Sequence, residues 1–306
     1  MARLAALDVG TNSTRLLVAD VDGGAIVAEH AREMVITRLG KGVDRTGHFD
    51  PAALARTLEV LAGYADTCRR LGVERRRLVA TSATRDAADR QVFLDGVRDL
   101  LGVDAEVLTG QAEAATTYRG ATADLDDRPT LVVDIGGGST EFILGDGTAA
   151  RAMLSLDIGC VRLFERHLHH DPPSPDEVAA LRADAAGHLA RVAEVLDPAD
   201  ATRVVGVAGT VTTVTAIALG LDAYDPRRIH HQAVDAAGIA AVAGKLAAMT
   251  VAERAAMPVM AAGREDVIAA GALLLDELVQ RLHLREVVAS ETDILDGVLL
   301  ELADRG

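Results

Sequence analysis

Tryptophan is absent from the 306 residues, and phenylalanine and tyrosine together number seven. Base-stacking platforms for single-stranded nucleic acid are therefore poorly supported, and the core has to be built from Val, Leu, Ile and Ala. Cysteine occurs only at Cys68 and Cys160. Two are too few for a disulfide framework or a structural zinc site. Lysine is nearly missing as well, with Lys41 and Lys245 alone among many arginines. Positive charge falls short overall: the formal net charge is -15, which repels polyanions at long range and argues against a general nucleic-acid or anionic-membrane surface. A polyanionic ligand would need a local positive site. The one uncharged stretch long enough to raise a membrane question, Val204 to Leu221, contains Gly206, Gly209, Gly220 and four threonines. It reads as strand, turn and buried helix. The chain opens on a strand-like segment without a secretory pattern, so the cytoplasm is the expected compartment.

What is present is a duplication. The segment LAALDVGTNSTRLLVAD near the start resembles TLVVDIGGGSTEFILGD at a constant offset of 126 positions. The offset superposes Asp8 on Asp134, Gly10 on Gly136, Ser13 on Ser139 and Thr14 on Thr140. Each copy reads as an apolar strand ending in Asp, a turn of small residues, and a second apolar strand. Small residues let backbone N–H groups approach an anion, hydroxyls add donors, and the Asp would face a phosphate-bound cation. Where the second copy has Glu141 the first has Arg15, which places a metal site chiefly on the second.

Elsewhere the periodicity gives helices over Pro51 to Leu71, Ala87 to Leu101, Pro175 to Leu196, Ala236 to Met249 and Val267 to Leu282. Strands are expected at Arg77 to Ala80, Ala105 to Leu108, Val204 to Ala208 and Glu286 to Ala289. A last helix runs from Glu291 to about Ala303, with Ser290 as N-cap and Asp293 completing a capping box. At this length two α/β domains are expected, residues 1–121 joined by the C-terminal helix 291–306, and residues 122–290.

The two loops together with VVGVAGTVTTVTA at Val204 resemble the actin, sugar-kinase and Hsp70 superfamily, with two ribonuclease-H-like domains and an interdomain cleft. More narrowly, seven motifs in order resemble the exopolyphosphatase/guanosine pentaphosphatase (Ppx/GppA) family. They are DVGTNSTRLL at Asp8, VATSATRDA at Val79, LTGQAEA at Leu108, DIGGGSTE at Asp134, DIGCVRL at Asp157, VAGTVTT at Val207 and SETDILDGVL at Ser290. They span essentially the whole chain, and its length is similar to the short two-domain branch. Two positions depart from the pattern: Ala112 replaces the first of two successive acids, and Asp296 stands where an Arg often precedes the last Gly.

The resemblance implies Glu113 as the acid that activates or orients the attacking water and Arg85 as a phosphate-binding Arg. It implies Asp134, Glu141 and Asp8 as residues of a magnesium site, with manganese as the alternative ion. Gly10, Thr11, Asn12 and Ser13 would form one phosphate loop, and Gly136, Gly137, Gly138, Ser139 and Thr140 the other, supplemented by Gly209 and Thr210. The implied substrate is inorganic polyphosphate, in short chains for the short branch, or guanosine pentaphosphate. An ATP-dependent small-molecule kinase and a noncatalytic alarmone binder are the rivals. Dimerisation is common in the family, and Leu273 to Leu282 could offer an apolar face.

Several residues keep a plainer alternative. From one hairpin, Asp134 and Glu141 read equally as a turn Asp and an exposed Glu. Glu113 at a strand-to-helix junction also suits the helix dipole. The run Arg69, Arg70, Arg75, Arg76 and Arg77 favours a solvated helix end over a polyphosphate track. Among His167, His169 and His170, the following prolines favour a loop over a metal site. His230 and His231 read equally as ligand neighbours and as turn residues.

Overall fold

The computed structural model describes residues 1–305. Two units divide the chain: Met1–Gly120 with the segment from Asp293 onward, and Ala121–Thr292.

In the first unit β1 (Ala2–Val9), β2 (Ser13–Asp22) and β3 (Ala25–Ile36) form an antiparallel meander. β4 (Arg75–Ala80) and β5 (Ala105–Val107) extend it in parallel with β1. The order β3-β2-β1-β4-β5 is the one expected of a ribonuclease-H-like domain. Because successive side chains alternate between faces, a strand covered on both sides reads as an unbroken apolar run. In β1, Ala5, Leu7 and Val9 pack against Leu61, Tyr64 and Cys68 of helix Pro51–Arg70 and Phe93 and Val97 of helix Arg90–Leu101. Leu4 and Ala6 face the other way, onto Ile294, Leu295, Val298 and Leu299 of the last helix. Asp8 shares that second face by its even register.

The last helix begins later than its sequence pattern implies. Ile294–Asp304 is helical, and its N-cap is Asp293, in a capping box with Asp296. Ser290 instead donates to the Thr292 carbonyl, one turn ahead of the helix. The start is set by backbone packing: a Cβ at Gly120 would lie 1.8 Å from the Asp293 carbonyl oxygen, and one at Gly297 would lie 1.9 Å from that of Thr116. Helix Gly110–Ala121 therefore touches the last helix backbone to backbone.

The second unit repeats the plan with β6 (Thr130–Ile135), β7 (Thr140–Asp146), β8 (Ala149–Leu156), β9 (Arg203–Val207), β10 (Ala233–Asp235) and β11 (Glu286–Ala289). Its order is β10-β11-β9-β6-β7-β8. β8-β7-β6-β9-β11 corresponds to the first sheet, and β10 is an added antiparallel edge strand. Val204 to Leu221 resolves into β9 and the buried helix Ala208–Ala218. The helix expected over Pro175 to Leu196 stops at Leu189, with a separate 3-10 turn at Val192–Glu194. The one expected from Ala87 starts at Arg90. Across Leu273 to Leu282, Leu273, Leu274, Leu275, Leu278 and Val279 lie inside the unit's core and Leu282 packs against it, while the exposed residues are Gln280 and Arg281. They offer no apolar surface to a second copy, which corrects the reading of that helix as a dimer face.

Candidate functional site

Asp8 and Arg15 are directly opposite in the antiparallel pairing of β1 with β2, as are Asp134 and Glu141 in that of β6 with β7. Opposed residues of an antiparallel pair have their side chains on one face, close enough to interact. The two hairpins bend through the same bond, Gly10 N–H to the Ser13 carbonyl at 2.9 Å and Gly136 N–H to the Ser139 carbonyl at 3.0 Å. The repeat thus preserves backbone geometry and changes charge.

In the first copy the pair is closed internally. Arg15 donates from Nε and NH2 to Asp8 Oδ2 at 3.0 and 2.8 Å, and from NH1 to Asp293 Oδ2. Asp8 is 3 % exposed, and its other oxygen, Oδ1, is buried with no partner, as is Asn12 Oδ1. Burial pushes the Asp8 carboxyl above its usual range, against the lowering by Arg15. A buried carboxylate oxygen left without a donor is an expensive arrangement unless a cation or ligand completes it.

In the second copy two acids face each other. Asp134 is 8 % exposed and Glu141 1 %, so Glu141 is no exposed hairpin residue. Ser155, its partner across β7 and β8, donates to Glu141 Oε1 at 2.7 Å. Both side chains present carboxylate oxygens, the ligands a hard divalent cation takes. The donor chemistry in both copies fits magnesium or manganese.

The second loop is braced from behind. The carbonyls of Gly136 and Gly137 accept from the N–H groups of Cys160 and Val161, and the Gly138 carbonyl accepts from Arg162 Nε. Thr140 donates to the Ile158 carbonyl. A Cβ at Gly159 would sit 2.5 Å from the Gly137 carbonyl, so the DIGC motif holds the loop through a contact only glycine permits. In the first loop the carbonyls of Thr11 and Asn12 accept from Gly40 and from Thr37 and Arg38. Carbonyls turned toward the protein leave N–H groups for an anion.

Glu113 stands in the first turn of helix Gly110–Ala121 and is 7 % exposed. Arg85, from the short helix Ser82–Asp86, donates from NH1 to Glu113 Oε2 and to the Leu108 carbonyl, both at 2.8 Å. Burial pushes Glu113 up to about 7, against the pull of Arg85; the Asp8 charge adds to the rise and Arg15 opposes it. Glu113, Arg85, Asp8 and Arg15 thus form one electrostatic cluster in the first unit. A carboxyl near neutrality suits proton transfer at physiological pH.

Gly209 and Thr210 open helix Ala208–Ala218, after Ala208 in a left-handed conformation at φ 68°. Arg264 occupies the space above them: it donates to Thr213 Oγ1 at 2.9 Å, and a Cβ at Gly209 would meet its NH2 at 2.3 Å. The Thr210 hydroxyl faces inward, 2.6 Å from where a Cβ at Gly271 would lie. Arg264, buried beside this turn, is a cation that no sequence pattern singled out. Asp296 pairs with Arg32, through NH2 to Oδ1 at 2.7 Å and NH1 to Oδ2 at 3.2 Å.

The histidines resolve toward structure. His167 pairs with Asp184 and His170 with Glu177. His230 and His231 occupy the centre of a turn closed by Gln232 N–H to the Ile229 carbonyl at 3.0 Å. With His230 at φ -56° and ψ 129° and His231 at φ 61°, it is a type II turn. Both rings lie near Asp124. The Glu291 N–H donates to His230 Nδ1, which puts the ring proton of neutral His230 on Nε2, toward Asp124 at 2.9 Å. The cluster is closed by hydrogen bonds.

A model of the Ppx/GppA phosphatase family matches residues 17–306. The chain is similar to exopolyphosphatase 2 of Mycobacterium tuberculosis, 45% identical over 99% of each chain. It is also similar to a guanosine-5'-triphosphate,3'-diphosphate pyrophosphatase of Vibrio atlanticus, 38% identical over 53% of this chain and 33% of that one. Among solved structures, the Aquifex aeolicus Ppx/GppA family member superposes with a TM-score of 0.83, at 29% identity over 99% of this chain and 98% of that one.

Proposed function

Because the chain belongs to the Ppx/GppA phosphatase family, we propose that it is an exopolyphosphatase, removing the terminal phosphate of short polyphosphate chains by metal-assisted attack of water. The observation that carries this reading is Glu113: a buried carboxyl with a pKa of about 7, oriented by Arg85. Water attacks the terminal phosphorus, the bridging P–O bond breaks, and the water proton passes to a Glu113 oxygen. The products are inorganic phosphate and a chain shorter by one unit. In the loops Gly10–Ser13 and Gly136–Thr140, the N–H groups other than those of Gly10 and Gly136, which close the bends, are assigned to phosphate oxygens, and Gly209 and Thr210 to the same task. Asp134 and Glu141 in the second unit, and Asp8 in the first, are the residues that would hold magnesium, which when bound would neutralise phosphate charge and polarise the phosphorus–oxygen bonds. Arg85 has the planar fork suited to a phosphate and fixes the base. A cytoplasmic setting suits the two free cysteines. Among the described residues, no helix is long and apolar enough to cross a membrane.

A second substrate, guanosine pentaphosphate, presents the same terminal phosphoanhydride, and the similarity to the Vibrio enzyme favours keeping it. Phosphate release from short polyphosphate, long polyphosphate, guanosine pentaphosphate and ATP, with and without magnesium, tests the reading. Short polyphosphate should be turned over fastest, magnesium should be required, and Glu113→Gln should lose about 100-fold or more in kcat. Release dominated by long chains would sink the chain-length preference, and ADP formation that depends on an acceptor would identify a kinase.

A further inference from the structure

Asp293 has no part in the chemistry above, yet it is joined to it by one contact. Its two oxygens have separate tasks: Oδ1 accepts the Leu295 N–H at 3.0 Å as the helix cap, while Oδ2 accepts from Arg15 NH1. It cannot drift, because Gly120 and Gly297 bring the start of its helix into backbone contact with helix Gly110–Ala121. Arg15 thus lies between two buried carboxylates, Asp8 and Asp293. One cation between two anions leaves a net negative trio. One cation with Asp8 alone would leave a neutral pair, and a neutral pair attracts a divalent cation weakly.

We propose that Asp293 is a positioning residue that draws Arg15 away from full neutralisation of Asp8, keeping the unpartnered Asp8 Oδ1 able to bind a divalent cation. The inference rests on the reading of Asp8 as a metal residue.

The test exploits the equivalence of Asn and Asp as helix caps. Asp293→Asn keeps the cap and removes the charge; Asp293→Glu keeps the charge. Mn2+ binding to the full chain is followed by electron paramagnetic resonance, and magnesium half-saturation by phosphate release, with thermal unfolding alongside. Asp293→Asn should weaken Mn2+ binding and raise the magnesium half-saturation by about tenfold, with Tm within a few degrees of wild type, and Asp293→Glu should recover part of the loss. Unchanged Mn2+ affinity in Asp293→Asn overturns the proposal, as does an equal loss in Asp293→Glu. Asp8→Asn separates the two layers. If it binds Mn2+ as wild type does, the metal reading of Asp8 falls and the proposal with it; if it loses the ion while Asp293→Asn does not, only the role of Asp293 falls.

Discussion

A single carboxyl decides how the proposed site responds to pH. Glu113 must be ionised to accept a proton, and burial raises its pKa to about 7. Below that value kcat/KM should fall about tenfold per pH unit, and above it level off. Arg85 lowers the Glu113 pKa, so Arg85→Gln should move the rising limb to higher pH; a limb that stays in place contradicts the assignment. Stability carries the opposite sign. The folded pKa lies above the ordinary value of 4.5, so between about 4.5 and 7 the folded state binds more protons than the unfolded one. That contribution is fully present at low pH and is lost as pH rises through 7. Glu113→Gln should therefore gain stability relative to wild type over that interval in thermal unfolding. At this scale the sequence was legible where a motif carried the residue and blind where tertiary contact did. Glu113 and Arg85 stand in short recognisable stretches. Arg264 and the Arg15–Asp293 pair do not, because 278 positions separate Arg15 from Asp293 and burial of Arg264 depends on the turn at Gly209.

Among elements, the second loop depends on one glycine in another motif. A methyl at Gly159 cannot be accommodated 2.5 Å from the Gly137 carbonyl without moving loop or helix. Gly159→Ala should cost about 1–3 kcal/mol in denaturant unfolding and lower phosphate release as well, since the displaced N–H groups are those assigned to phosphate. An unaltered protein would show that the loop does not need this brace. The strands that the sequence concealed are β3, β8 and the three-residue edge strand β10. β3 and β8 close the meander of their unit, and β3 is exposed along most of its length, with Glu29, His30, Arg32 and Glu33 close together. A strand without a buried face has no alternation to read. The apolar β1, β2, β6 and β7 had such a signal. The sequence pattern puts the cap of the last helix three residues early because Ser290 and Asp293 make as good a capping pattern as Asp293 and Asp296; only the glycine contacts at Gly120 and Gly297 choose between them.

For the whole molecule, one duplication has produced two sheets of the same order with unequal chemistry. The offset of 126 positions matched β1 to β6 and β2 to β7, and the remaining strands follow in the same succession once β10 is set aside as an addition. The α/β class was legible from mixed strands and helices in two related halves, whereas the ribonuclease-H-like strand order came with the family resemblance and not with the seventeen-residue repeat alone. The division of labour was legible only as Arg15 against Glu141; its physical content, an internal cation in one copy and paired acids in the other, required the registers. The central claim is that water attacks the terminal phosphorus of an unbranched polyphosphate. Hydrolysis of tripolyphosphate in 18O-labelled water with magnesium, followed by mass spectrometry of both products, tests it most directly. One labelled oxygen should appear in the released inorganic phosphate and none in the pyrophosphate. Label in the pyrophosphate, or no phosphate release without an added acceptor, would contradict the account.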